Sequence, residues 1–217
     1  MKILALSDTH GKHAHIPSSW MVPADILIHA GDISNVGRIV EIIDFLDWFS
    51  IQPYQYKIFI AGNHDWGFQD NEEKIDEILL KYPDVIYLRD SSVIIEDVKF
   101  YGTPWQPDFY NWAFNLPRGN ALQDKWDLIP SDTQVLITHG PPKDILDFVS
   151  SYNEGRNVGC EQLADTVLTR LPDLKLNIFG HIHYSYGELL KDNKIFVNAA
   201  TLNEQYIVSN KPILIEI

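Results

Sequence analysis

Five short stretches of this chain concentrate the residue types that bind metal ions. They are Ser7-Asp8-Thr9-His10, Gly31-Asp32, Gly62-Asn63-His64-Asp65, His139-Gly140 and Gly180-His181-Ile182-His183. Carboxylate oxygen, amide oxygen and imidazole nitrogen together make a donor set for divalent and transition metals, and no thiolate is among them. Any one stretch carries little weight, because a Gly-Asp pair or an Asp-x-His occurs by chance in many sequences. Their shared position carries more: each directly follows an apolar run of strand length.

Those runs are "KILAL", "ADILIHA", "YKIFIA", "TQVLIT" and "LKLNIF", rich in Ile, Leu and Val and bounded by turn residues. Between them, "GRIVEIIDFLDWFS", "NEEKIDEILLKY" and "CEQLADTVLTRL" place apolar residues at three- and four-residue intervals, which predicts amphipathic helices. Alternating strands and helices predict an α/β sheet with right-handed crossovers. Ligands of such sheets bind beyond the carboxyl ends of the strands, so the five turns are expected to meet in one crevice. Gly31, Gly62, Gly140 and Gly180 stand beside the polar residues, where a missing Cβ permits sharp turns and close approach. Elsewhere "DVIYL", "SSVIIEDVKFYGT", "GELLKD", "KIFVNAA" and "PILIEI" follow one another without helices. They are expected to add antiparallel partners or a second sheet.

In chain order, Asp8-x-His10, Gly31-Asp32, Gly62-Asn63-His64-Asp65, His139 and Gly180-His181-x-His183 resemble the signature of the calcineurin-like metallophosphoesterase superfamily. The segments "FYGTPWQP", "THGPPKDILD" and "VGCEQLADTVLTRLPDLKLNIFGHIH" further resemble the metallophosphoesterase-domain-containing subfamily related to class III phosphodiesterases. The resemblance implies an α/β fold of two β-sheets packed face to face with helices outside, in αββα layers, here as a single domain over residues 1 to 217. It implies that one metal takes Asp8, His10, Asp32 and His183, and that the second takes Asp32, Asn63, His139 and His181, with Asp32 bridging. All seven positions are filled. It also implies that His64 faces substrate, to protonate the leaving oxygen or stabilise charge on phosphorus, with Asp65 holding its ring in the useful tautomer. The plainer reading of Asn63-His64-Asp65 is a tight turn in which Asp65 binds nearby backbone amides.

Two divalent ions about 3.5 to 4 Å apart can acidify a bridging water, orient a phosphate and stabilise both attacking and leaving oxygens of an in-line displacement. They also outweigh Asp8, Asp32 and a hydroxide by about one positive charge. That local reversal matters in a chain with 17 Lys and Arg against 30 Asp and Glu, a formal charge of -13. The overall balance argues against tracking a nucleic-acid polymer but leaves small anionic substrates open. Mn²⁺ or iron is the expected metal from the resemblance, with Co²⁺, Ni²⁺ and Zn²⁺ also compatible with the donors. The expected reaction is hydrolysis of a small phosphate ester, foremost the diester bond of a cyclic nucleotide. A phosphomonoesterase, or a nucleotide-binding protein of low turnover, stands as the alternative.

Substrate contacts are harder to read. The segment "PWQPDFYNWAFN" carries Trp105, Phe109, Tyr110, Trp112 and Phe114, either to stack a base or to fill satellite core. Asn153, Arg156 and Asn157 are candidate contacts for phosphate or sugar, or else loop caps. His13 and His15 are expected in a solvated loop near the rim, and His29 in a buried, hydrogen-bonded role within its strand. Cys160, the one cysteine, stands at a predicted helix start, and a packed hydrophobe is its simpler role. A lone cysteine, the lack of any apolar stretch near membrane-spanning length and a short apolar run before Ser7 and Asp8 give a cytoplasmic expectation without membrane partners.

Overall fold

The computed structural model describes residues 1–150 and 155–217. Its first sheet is built from β1 (Lys2–Leu6), β2 (Ile26–Ala30), β3 (Tyr56–Ile60) and β4 (Val85–Tyr87), all parallel, with β15 (Ile213–Glu216) antiparallel beside β1. The second sheet has six strands. At its centre β6 (Val98–Thr103), β9 (Val135–Thr138), β12 (Leu176–Phe179) and β14 (Lys194–Asn198) run parallel. Antiparallel hairpin partners β5 (Ser91–Ile95) and β13 (Gly187–Lys191) close its two edges. Two short ladders lie outside these sheets: β7 (Gln106–Pro107) with β8 (Asn115–Leu116), and β10 (Phe148–Val149) with β11 (Arg156–Asn157).

The helices are α1 (Ile39–Ser50), α2 (Trp66–Asp70), α3 (Glu72–Leu79), α4 (Asn120–Trp126) and α5 (Glu161–Asp165), the last continuing as a widened π-turn over Thr166–Arg170. Strand alternation sorts the core into three layers. Ile3, Ala5, Ile26, Ile28, Ile58 and Ile60 face Phe100, Val135, Ile137, Leu176, Ile178 and Val197 between the sheets. Leu4, Leu6, Leu27 and Phe59 turn the other way, onto Ile42, Phe45, Leu46 and Phe49 of α1 and Ile75 and Ile78 of α3. Leu136, Phe179 and Phe196 meet Leu122 and Trp126 of α4 and Leu163 of α5 on the outer face of the second sheet. This is a four-layer αββα sandwich. Strands buried on both faces favour apolar residues on both, which is why the five runs read as near-continuous and not alternating, with His29, Lys57 and Asn177 as buried polar interruptions.

Three of the helix-free segments build the second sheet and its antiparallel edges, while two join the first: β4, from "DVIYL", extends it in parallel, and β15, from "PILIEI", adds an antiparallel partner to β1. The short helices α2 and α4 have too few turns to leave a periodic signal. Cys160 is a buried cap for α5, its Sγ accepting the Leu163 N–H at 3.4 Å, and burial pushes its thiol upward. No helix among the described residues is long and apolar enough to cross a membrane.

At one end the sheets are stitched together. Ser7, just past β1, forms a bridge with Ala200, just past β14, and the Thr201 N–H donates to the Ser7 carbonyl at 2.8 Å. That seam lies where the parallel strands of both sheets deliver their carboxyl ends.

Candidate metal centre

The first sheet contributes Asp8 and His10 after β1, Asp32 after β2 and Asn63 and His64 after β3; the second contributes His139 after β9 and His181 and His183 after β12. Asp8, His10, Asp32 and His181 all hold left-handed backbone angles, with φ of 54°, 43°, 56° and 66°. That conformation costs a non-glycine residue on the order of 1 kcal/mol or more, and four such residues in one place mark a backbone bent to aim side chains. Backbone hydrogen bonds hold the bends: Asp8 N to Gly31 O at 2.9 Å, His10 N to Asp32 O at 3.0 Å and Gly180 N to His139 O at 3.0 Å. At Gly62 and Gly180 the need is for space. A Cβ would fall 2.3 Å from Asp32 Oδ1 at the first and 2.0 Å from Asp8 Oδ2 at the second. Gly140 meets nothing nearer than 3.4 Å, so close approach does not explain it.

The carboxylates are anchored by amides. The His181 N–H donates to both oxygens of Asp8, at 3.0 and 2.9 Å, and the His64 N–H donates to Asp32 Oδ1 at 2.8 Å. The imidazoles are oriented by carbonyls. His139 Nδ1 donates to Ala30 O at 2.9 Å, His183 Nδ1 to Asn203 O at 3.1 Å and His64 Nδ1 to Asn35 O at 2.7 Å. A carbonyl can only accept, so Nδ1 carries the proton in all three rings, and Nε2 of each neutral ring is a bare lone pair.

Those lone pairs face other lone pairs. His139 Nε2 stands 2.9 Å from Asn63 Oδ1 and 3.4 Å from Asp32 Oδ1; His183 Nε2 stands 3.3 Å from Asp8 Oδ1; His10 Nε2 stands 3.6 Å from Asp32 Oδ2. Both ring nitrogens of His10 are buried without a hydrogen-bond partner among the described residues, an arrangement that costs free energy unless something positive fills it. A proton or a cation between such groups relieves their repulsion. Burial discourages a proton on His10, lowering it to about 4, and on His181, lowering it to about 3. Burial also opposes charge on His139, yet Asp32 beside it wins and pulls the ring up to about 9, so in the metal-free chain a proton stands in for the cation. Burial would likewise raise Asp8, but the hydrogen bond and charge of His183 hold its carboxyl well below the usual range.

Three groups of donor atoms gather within 4.8 Å of one another: Asp8 with His10 and His183, Asp8 with Asp32 and His139, and His10 with Asp32 and His64. Asp32 thus stands between His10 on one side and His139 on the other. Each group has donors that could hold an ion, although one includes His64, expected to face substrate, and none includes His181, expected as a ligand. The His181 ring meets that of His139 edge-on, with centroids 5.1 Å apart.

Asp65 corrects an expectation. Its carboxylate does not touch the His64 ring. It accepts from Ile33 N at 3.2 Å, Ser34 N at 3.0 Å, Ser34 Oγ at 2.6 Å and Gly62 N at 2.8 Å, clamping the Asp32 turn to the Asn63 turn. Burial, aided by the Asp32 charge, raises it to about 6. The tautomer of His64 belongs to Asn35 instead, a backbone role that no side-chain pattern could reveal.

Trp105 also departs from expectation. Its indole N–H donates to Asp90 Oδ2 at 2.8 Å and Lys125 Nζ sits 4.1 Å over its ring, packing it among core residues away from the donors. Phe114 is fully buried. Trp112 is the aromatic that reaches the centre, stacked on His64 with centroids 4.1 Å apart and planes at 23°. Tyr206, absent from the sequence candidates, sets its ring 5.0 Å from His10 and 5.2 Å from His183. It lies near the end of a segment without apolar periodicity, which gives no signal in one sequence.

A cleft of about 650 Å³ opens beside His181 and His183, with Phe109, Tyr184, Lys143 and Arg156 on its walls. Arg156 and Asn157 are exposed on β11, where the Asn157 amide donates to Asp144 Oδ1 at 2.6 Å. Asn153 lies outside the described residues. His13 is buried, contrary to expectation, 3.2 Å from Asp44 and packed on Phe45 and Trp48, while His15 is exposed. His29 is buried and hydrogen-bonded to Thr9 Oγ1 at 2.9 Å, between the two ligand-type residues of the first turn.

Fold and site together define a metal-dependent hydrolase of phosphate esters. Residues 1–185 match the family described as calcineurin-like phosphoesterase, and the chain belongs to that family. Among relatives, it is 38% identical over 239 residues to metallophosphoesterase domain-containing protein 1 of Homo sapiens, covering all of this chain and 71% of that protein. It is 34% identical over 243 residues to UPF0046 protein T07D4.2 of Caenorhabditis elegans, covering all of this chain and 60% of that one. Among solved structures, TT1561 of Thermus thermophilus superposes with a TM-score of 0.62 at 14% identity, covering 91% of this chain and 88% of the other. A protein described as a novel archaeal phosphodiesterase superposes with a TM-score of 0.51 at 16% identity, over 99% of this chain and all of that one. These structural likenesses carry the fold.

Proposed function

We propose that this protein hydrolyses the diester bond of small phosphate esters, with cyclic nucleotides as the leading substrate class, using two metal ions held by Asp8, His10, Asp32, Asn63, His139, His181 and His183. One observation carries the reading: imidazole nitrogens directed at carboxylate and amide oxygens, with both His10 nitrogens buried without a hydrogen bond among the described residues, an arrangement that bound cations would satisfy. When bound, two divalent ions supply an acidified water and a positive clamp on phosphate oxygens. Asp32, between His10 and His139, is the bridging candidate. His64 holds its Nδ1 proton against Asn35, which leaves Nε2 to meet substrate. To act as an acid at Nε2, His64 must therefore work as the imidazolium, passing a proton to the leaving oxygen.

The 650 Å³ cleft suits a compact ester, and its lining sets Arg118, Lys143 and Arg156 against Asp108, Glu161 and Glu204, a balance less acidic than that of the whole chain. Mn²⁺ or iron is the proposed metal on the family resemblance; nitrogen and oxygen donors without sulfur suit Co²⁺, Ni²⁺ and Zn²⁺ as well. The experiment is add-back of Mn²⁺, Fe²⁺, Co²⁺, Ni²⁺ and Zn²⁺ to stripped protein, with a chromogenic phosphodiester and its matching monoester. Diester turnover above monoester turnover is expected. Faster monoester turnover would make the protein a phosphomonoesterase, and silence on both with two ions bound per chain would leave a binding protein.

A further inference from the structure

The segment between β7 and β8 reaches back to the metal centre. Its backbone is tied to the metal centre: Ala113 N–H donates to the Asn63 carbonyl at 3.0 Å, and Phe114 N–H donates to Gln69 Oε1 at 2.6 Å. The Gln106 N–H returns to the Phe114 carbonyl at 3.1 Å, and the buried Phe114 ring meets Trp105 edge-on at 5.5 Å. Trp112 thus hangs from a braced arm, one residue from a bond to Asn63, the neighbour of His64.

His64 is partly exposed, and a ring in that setting samples several rotamers unless something restrains it. Three contacts do so here. Asn35 O receives Nδ1, the His10 ring meets it edge-on at 4.5 Å, and the Trp112 indole covers a face at 4.1 Å and 23°. One hydrogen bond leaves a ring free to swing about that bond, whereas a parallel wall fixes its plane. The face of Trp112 lying against His64 is thereby occupied, so that face is not a platform for a substrate base.

We propose that Trp112 is a positioning residue for His64: its indole fixes the imidazole plane so that Nε2 points into the metal centre. This rests on the phosphoesterase reading for its kinetic consequence but not for the contact itself. Losing such a support costs about ten- to a hundredfold where outer partners orient a reactive or ligating ring. The loss falls on kcat, because a misaimed ring weakens the reacting state more than ground-state binding.

The test pairs kinetics with spectroscopy on the full chain. In metal-free protein, the His64 ring protons are expected to resonate upfield from the indole ring current. That shift should vanish in Trp112→Ala and Trp112→Leu and persist in Trp112→Phe. With metal restored, Trp112→Ala and Trp112→Leu should lower kcat about ten- to a hundredfold with KM near the parent value, and Trp112→Phe should recover most of that loss. In a His64→Ala background, Trp112→Ala should cost nothing further. An equal cost in that background, or a loss confined to KM, would overturn the proposal by making Trp112 a wall for substrate. Unmoved His64 resonances in both variants would remove the contact itself. Absence of any ester turnover would sink the hydrolase reading, while the ring-current result would still decide the contact.

Discussion

The donor cluster and the cleft beside it are neighbours built on different terms. Around the donors, four residues hold left-handed angles, amides bind Asp8 and Asp32, carbonyls bind His139 and His183, and burial is nearly complete. Along the cleft, Phe109, Tyr184 and Tyr206 are 42% to 50% exposed, and Arg156 and Asn157 lie on a two-residue ladder. Reaction chemistry tolerates little positional error, while recognition of one ester over another can be supplied by adaptable surface. The contrast is between a cluster whose geometry is fixed on every side and a cleft whose surface can adapt, which on the proposed function would divide reaction type from substrate choice.

The largest effect should come from dismantling the cluster. Asp32→Asn combined with His181→Ala removes the bridging charge and an imidazole; since even outer partners cost 10- to 100-fold in metal affinity, at least about a hundredfold loss is expected. Elemental analysis after dialysis reads it, and full occupancy in the double variant would end the argument for a metal centre. Next, His64→Ala should lower kcat by about 10²- to 10⁴-fold while both ions stay bound. Retained turnover would move His64 out of the reaction.

Gly180→Ala sharpens the contrast by steric means. Its Cβ would press on Asp8 Oδ2 and Ser7 Oγ, so a loss of about 1–3 kcal/mol is expected in chemical denaturation of the stripped protein. Gly140→Ala, with no comparable neighbour, serves as the control. The smallest effect belongs to the cleft: Phe109→Leu or Tyr184→Leu should change KM by up to about tenfold, the worth of one aromatic contact, with metal content and kcat nearly constant. A collapse of kcat in either would erase the distinction between the two regions.

That division also governs what could be read in advance. Asp8, His10, Asp32, Asn63, His139, His181 and His183 stood out because each follows a strand, and strand ends on one side of parallel sheets are forced together by topology. The two sheets were legible as apolar runs for the same reason. Trp105 and Trp112 sit seven positions apart in one aromatic segment, yet one is locked to Asp90 and the other lies on His64. Nothing in their local sequence distinguishes them, because the difference is made by Ala113 reaching Asn63, a contact fifty positions away along the chain. Asp65 misled for a related reason: adjacency to His64 suggested a side-chain partner, but a carboxylate with four donors around it had no capacity left for the ring.

The amide of His181 and the carboxylate of Asp8 are joined across 173 positions of sequence, and Thr201 closes on Ser7 at the same seam. On a ribosome adding about 5 to 20 residues per second, the turns carrying Asp8, Asp32 and Asn63 therefore wait on the order of ten seconds for their partners to emerge. Throughout that interval the donors of the first sheet stand without those of the second. The full set of donors is assembled only once the chain near residue 200 has folded back onto Ser7, so the centre is among the last parts of the molecule to be completed.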